Sequence, residues 1–301
     1  MKIMKFGGSS LGTGKRMLHV AEIIKKFSNK SEVVIVVSAM NGVTDKLISL
    51  FQKCKSRDFS TAFEEIRILH GIHNSALRDL GLRKNDYVHI KKSLYHLFGD
   101  LSIYLFLCKD YSLSDYDYVI SFGEKLCSHL LSAALNKIDV IAKPIDASSV
   151  IVANNMFGNA RALLADTKIK AKKSLLPLLL KHIVPVVTGF YAATKEGKIV
   201  TLGRGGSDYS ATILSNVLDA KEVILWKEVD GVFSTDPKKD DQAKFYSELL
   251  YSEALALAER GAKVLHSEAM KPVKSKGIIV WVKNIFKPDL IGTKIWKGVS
   301  Q

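Results

Sequence analysis

The sequence has little of what staples or anchors a chain. Its three cysteines, Cys54, Cys108 and Cys127, are far apart, odd in number and without C-x-x-C spacing. That excludes a disulfide framework and a zinc ligand set, and a reducing cytoplasm is the expected home. No apolar run approaches the roughly 18 residues that a membrane span needs, so no membrane partner is expected. A secretory leader is not expected at residues 1–10, because Gly7-Gly8-Ser9-Ser10 stands where its apolar region would begin. Repeats, low-complexity tracts and evident linkers are missing too.

Acid is scarcer than base: 30 acidic against 44 basic residues leave a formal charge of +14. Such a charge draws in anionic ligands. The lysines are scattered and not interleaved with aromatics, so they read as solvated helix faces, and nucleic acid is not an expected partner. With 47% apolar residues in 301, the chain can bury one large or two modest cores.

Residues 2–6 form a short apolar-rich run stopped by Gly7-Gly8, and residues 14–27 follow with helical spacing. Residues 32–37 are a continuous β-branched run, as in a parallel strand buried on both faces. It ends in the small polar loop 38–45, where open α/β sheets place their ligands. No strand is expected over residues 46–109. Two or three helices fit there, one opened by a Thr61/Glu64 capping box. Further strands are expected at 116–121, 140–142, 184–189, 198–202, 222–226 and 277–282. Helices are expected through 126–135, around 175–180, over 207–218 and over 252–260, the last stopped by Gly261, and the tail beyond 282 reads as irregular. This alternation predicts a mostly parallel sheet with helices on both faces.

The stretch 200–211 stands out. Apolar residues lead into Gly203, Gly205 and Gly206, and Ser207-Asp208 then opens a helix. Unpaired N–H groups of a first helical turn, approached through glycines, favour phosphate or carboxylate, and Arg204 adds a cationic fork suited to a carboxylate. A Walker loop at residues 8–16 is excluded, since the motif would need Gly at Ser9 and Ser or Thr at Arg16. Lys5, inside an apolar strand, needs an anionic partner.

Six segments, in order along nearly the whole chain, resemble the aspartokinases of the amino-acid kinase superfamily. They are Lys5-Phe6-Gly7-Gly8-Ser9-Ser10, Val37-Ser38-Ala39-Met40 with Gly42-Val43-Thr44-Asp45, Ser121-Phe122-Gly123-Glu124, residues 201–211, Val229-Asp230-Gly231-Val232-Phe233 with Asp236-Pro237, and Gly261-Ala262-Lys263-Val264-Leu265-His266. The resemblance implies a three-layer α/β/α sandwich with a mostly parallel central sheet. It implies two lobes forming one catalytic unit, an aspartate-binding lobe 1–195 with a helical segment about 46–110, and an ATP-binding lobe 196–301. The implied reaction is transfer of phosphate from ATP, with Mg²⁺, to the side-chain carboxylate of aspartate. A carboxylate nucleophile is already ionised at neutral pH, so no general base is required, and catalysis is positioning plus cationic stabilisation.

By the same resemblance Lys5 and Lys263 flank the phosphates and Asp208 orients Lys5. Ser38, Thr44, Glu124, Arg204 and Ser207 hold aspartate, Arg204 on the α-carboxylate and Glu124 on the α-ammonium. Gly7, Gly8, Gly205 and Gly206 donate backbone N–H groups. Lys227, Glu228, Asp230, Phe233 and Lys238 belong to the nucleotide segment. A homodimer stays open as the assembly, and no bound metal cage is implied.

Simpler readings stand beside these. Ser121 and Glu124 have capping-box spacing, Ser207 and Asp208 suit an N-cap and first turn, and Lys263 suits a solvated helix end. His266 reads as structural. The chain departs from the family pattern at Lys227-Glu228, where Thr-Asp is common, at Lys238 in place of Arg, and at Ser267 in place of Pro. It also ends soon after residues 291–295, so the resemblance covers the catalytic region without ACT regulatory domains. A glutamate 5-kinase-like activity is an alternative, against which Ser-Phe-Gly-Glu counts. A catalytically idle regulatory or nucleic-acid-binding protein is another, suggested by the +14 charge and Lys227-Glu228.

Overall fold

The computed structural model describes residues 1–235, 240–259 and 267–298. Lys238, Lys263, Gly261, His266, Asp236 and Pro237 lie outside the described residues.

The strands are β1 Lys2–Phe6, β2 Val33–Val37, β3 Ala142–Ile145, β4 Val184–Thr188, β5 Tyr191–Ala193, β6 Ile199–Thr201, β7 Glu222–Lys227, β8 Val232–Phe233, β9 Phe245–Tyr246, β10 Glu248–Leu250, β11 Ile279–Asn284 and β12 Thr293–Trp296. The α-helices are α1 Gly14–Ser28, α2 Val43–Lys55, α3 Phe59–Asp79, α4 Lys84–Leu107, α5 Leu113–Ile120, α6 Phe122–Lys137, α7 Leu164–Leu179, α8 Gly206–Val217, α9 Tyr251–Glu259 and α10 Ser267–Lys276. Among the described residues the main sheet runs β10-β12-β11-β7-β1-β2-β4-β3. Its pairings are parallel except β11 with β12.

The strand pleat divides the core. Met4, Phe6, Ile35, Val37 and Trp226 face α1, α3, α4 and α6, whereas Ile3, Val34, Val36, Val223 and Leu225 face α7, α8 and α10. Apolar on both faces, these strands need a helical layer on each side, which is the expected α/β/α sandwich. Lys5 sits between Met4 and Phe6 and so projects toward the α8 layer. All of α8 is buried, because it packs on β1, β7, α7 and α10 together.

Three local expectations are overturned. Residues 116–121 are not a strand. Ser112 and Asp115 make a reciprocal capping box, and the apolar run Tyr116 to Ile120 continues as α5. The expected Thr61/Glu64 box is replaced by Asp58, whose carboxylate accepts the Thr61 N–H at 3.2 Å, while Glu64 pairs with Arg67. The tail is not irregular, because Thr293–Trp296 lies antiparallel to β11 and parallel to β10. Strands at 140–142 and helices at 175–180 are present with shifted bounds, at Ala142–Ile145 and Leu164–Leu179.

Candidate active site

The carboxyl ends of β1, β2 and β7 and the N-terminus of α8 meet at one edge of the sheet. Gly8 lets the turn after β1 press on the loop after β2, since a Cβ there would come within 2.7 Å of the Ala39 carbonyl oxygen. Gly205 enters α8 in the left-handed region, at φ 71°, as its cap residue. The helix therefore starts at Gly206, and Ser207 and Asp208 fall inside its buried first turn and do not cap it.

A cleft of about 380 Å³ opens there. Lys5, Gly8, Ser38, Thr44, Glu124, Arg204, Gly205, Gly206, Ser207 and Asp208, all anticipated from sequence, line it. Gly7, Lys227, Glu228, Asp230 and Phe233 are not on its wall. Phe233 packs edge-on to Phe245, and Asp230 is tied to Asn284 and Lys287.

The electrostatic centre is an ionic triad. Lys5 Nζ lies 2.7 Å from Asp208 Oδ1, and Lys227 Nζ lies 2.7 Å from Asp208 Oδ2. Burial alone pushes the Asp208 carboxyl up, but Lys227 and Lys5 outweigh it and hold the group well below the usual carboxylate range. Burial pulls the Lys5 ammonium down, Asp208 opposes that shift, and Lys227 adds to it. Asp208 is thus ionised, and the triad carries one net positive charge.

Across the cleft, Glu124 is only 3% exposed. Its Oε1 accepts the Ala39 N–H at 2.9 Å, and its Oε2 has no hydrogen-bond partner. It is not a capping residue, because Ser121 makes no side-chain cap and its hydroxyl donates to the Tyr118 carbonyl. Burial pushes the Glu124 carboxyl up to about 8, against the Ala39 N–H and the Lys5 charge. A buried carboxylate with an unsatisfied oxygen is costly unless a cationic ligand meets it. Arg204 is exposed at the turn before α8. The site therefore offers cations and helix-terminal N–H groups to phosphate on one wall and a carboxylate to an ammonium group on the other.

The profile of the amino acid kinase family matches residues 1–284. The chain belongs to the amino acid kinase family. Among similar members, aspartokinase 1, chloroplastic, of Arabidopsis thaliana is 36% identical over 299 residues, which are 98% of this chain and 52% of the relative. Lysine-sensitive aspartokinase 3 of Escherichia coli K12 is 31% identical over 293 residues, covering 97% of this chain and 63% of that one. The solved structure of E. coli aspartokinase III in complex with aspartate and ADP, in its R-state, superposes with a TM-score of 0.89 at 30% identity. That match covers 100% of this chain and 65% of the other. The chain thus spans about half the length of the plant relative and two thirds or less of the bacterial ones.

Three features of this amino acid kinase site escape sequence reading. The Ala39 N–H that clamps Glu124 carries no side-chain signal at all. Asp117, fully buried, accepts the Thr201 N–H at 2.9 Å, the Thr201 hydroxyl at 2.7 Å and the Gly158 N–H at 2.8 Å, steadying β6 just before the Gly203 turn. An acid inside the apolar run 116–120 was its available signal. The third is the contact of Lys227 with Asp208. Among the described residues no helix is long and apolar enough to cross a membrane.

Proposed function

We propose that this chain transfers the γ-phosphoryl group of ATP to the side-chain carboxylate of L-aspartate, giving 4-phospho-L-aspartate and ADP, the first step of the aspartate-family amino-acid pathway. The observation that carries the reading is the pairing across one cleft of a cationic triad and a buried, half-satisfied Glu124. The likeness to aspartokinases supports it.

Aspartate enters with its α-ammonium on Glu124 and its α-carboxylate on Arg204, with Ser38, Thr44 and Ser207 beside it. Its side-chain carboxylate, ionised and needing no base, attacks phosphorus in line, and the β–γ bridging oxygen leaves with ADP. Lys5, held by Asp208, and the N–H groups around Gly7, Gly8, Gly205 and Gly206 offset the charge that builds on the transferring group. Lys263 and Lys238 belong to the same proposal, as do Glu228, Asp230 and Phe233 on the nucleoside side. Mg²⁺ arrives as the counterion of the triphosphate. Among the described residues no group of three or more His, Cys, Asp or Glu side chains forms a cage for it.

Two lobes divide the work, residues 1–195 for aspartate, including the helical segment about 46–110, and residues 196–301 for ATP. Three free cysteines fit a reducing cytoplasm, and a homodimer is the proposed assembly, read by light scattering.

The test is ADP release by the purified chain with aspartate, glutamate, acetylglutamate or UMP, with hydroxylamine trapping of the acyl phosphate. Aspartate-dependent ADP release with hydroxamate formation is expected. Turnover of another acceptor but not aspartate would sink the proposal.

A further inference from the structure

Lys227 is not on the wall of the cleft, and its ammonium meets Asp208 at 2.7 Å. Strand register brings it there. Lys5 pairs with Leu225 across β1 and β7, so Lys227, two residues on, projects from the same face of the sheet toward α8. Asp208 in the first turn of α8 is received between the two ammonium groups, one per carboxylate oxygen.

Accepting the site as a phosphoryl-transfer centre, we propose that Lys227 is a positioning residue. It ties the far oxygen of Asp208 so that the near oxygen alone engages Lys5, leaving the remaining N–H groups of Lys5 for the phosphoryl group.

The chemistry follows from counting partners. An ammonium has three donors and a carboxylate two oxygens. Among the described residues, if Lys5 alone met Asp208, a carboxylate at 6% exposure would leave Oδ2 without a donor or turn both oxygens on Lys5. The second outcome draws donors away from the phosphate and leaves a neutral pair. Lys227 donates to Oδ2 at 2.7 Å and leaves Oδ1, which has no hydrogen bond of its own, to its 2.7 Å ion pair with Lys5, so two lysines against one carboxylate keep a formal positive charge. Neighbouring Glu228 does not cancel that charge, since it faces Arg16 at 3.4 Å.

Among the described residues, the charged groups facing Lys5 are Asp208 from α8, Lys227 from β7 and Glu124 from α6. Without Lys227, Lys5 faces carboxylates only among these, so its titration moves to higher pH.

The experiment compares wild type, Lys227→Met and Lys227→Arg. One readout is competitive acylation of Lys5 by acetic anhydride across pH, quantified by peptide mass spectrometry. The other is steady-state kinetics with ATP and aspartate. Lys227→Met is expected to lower kcat about tenfold or more with the aspartate KM within about twofold. Its Lys5 labelling midpoint is expected to rise by about half a pH unit or more. Lys227→Arg keeps the charge and is expected to stay near wild type in both readouts.

A wild-type kcat in Lys227→Met, an unshifted labelling midpoint, or a defect confined to the ATP KM each overturns the proposal. Should Lys227→Met fail to fold, Lys227→Gln takes its place under the same criteria. If wild type does not phosphorylate aspartate, the proposed substrate falls, while the Lys5 labelling shift still decides the role of Lys227.

Discussion

Replacing Glu124 by glutamine over a series of pH values probes the aspartate side of the site. In the empty protein burial raises the Glu124 carboxyl to about 8. Ligand ammonium needs the ionised form, so below that pH binding requires loss of a proton from Glu124. At pH 7 about one molecule in ten is competent and at pH 6 about one in a hundred, and apparent affinity falls by the same factors. The aspartate KM of the wild type should therefore drop about ninefold from pH 6 to pH 7 and about fivefold from pH 7 to pH 8, and level off above that. Glutamine retains an acceptor for the Ala39 N–H but has neither the charge nor the titration. Losing a charged hydrogen bond of about 1.5–3 kcal/mol weakens aspartate by about tenfold to a hundredfold at pH 8. Below pH 8 the variant should be flat, so the two proteins converge near pH 6. Steady-state kinetics at saturating ATP, from pH 6 to 9, reads both curves. A flat wild-type profile, or an equal slope in Glu124→Gln, refutes the reasoning.

Arg204→Ala should raise the aspartate KM by about tenfold to a hundredfold while changing the ATP KM little, in initial-rate kinetics with each substrate varied; equal effects on both refute its assignment. His73 is fully buried, with Nδ1 against the Leu69 carbonyl and Nε2 unpartnered, and burial lowers it from 6.5 to about 4. The folded state thus binds fewer protons than the unfolded one, so about 3 kcal/mol of stability present above pH 6.5 is lost as pH falls toward 4. Urea titrations of wild type and His73→Leu across that window should show the slope reduced in the variant. Asp117→Ala leaves the Thr201 and Gly158 donors unmet and should destabilise by about 2–5 kcal/mol, measured by chemical denaturation, while Asp117→Asn should retain part of the loss. A fully stable Asp117→Ala would remove that carboxylate's role in holding β6.

Much was legible from the chain because the signals are local. The β-branched run 33–37, the apolar strand around Lys5 and the glycine turn before residue 206 name their structures through periodicity and backbone freedom. Lys5 also announced its need for an anion, which Asp208 meets. The misreadings are local too. Tyr116, Val119 and Ile120 suit a strand by propensity, yet the Ser112 box and the packing of Val119 and Ile120 into the core make that segment a helix. Likewise Thr293–Trp296 is too short to signal a strand alone and forms one because β10 and β11 flank it.

By itself the sequence determined the layered α/β class, the glycine turns and the kinds of groups available for an anionic substrate. Only the tertiary structure decided which charges meet. Lys227 joins Asp208 because the β1–β7 register sets both lysines on one face beneath α8. Glu124 is a half-satisfied carboxylate and not a helix cap because the Ala39 N–H reaches one of its oxygens and leaves the other open. Residue pattern records what each segment can bury, whereas ion pairing depends on distances of a few ångströms between segments far apart in the chain, where Coulomb energy and desolvation are decided.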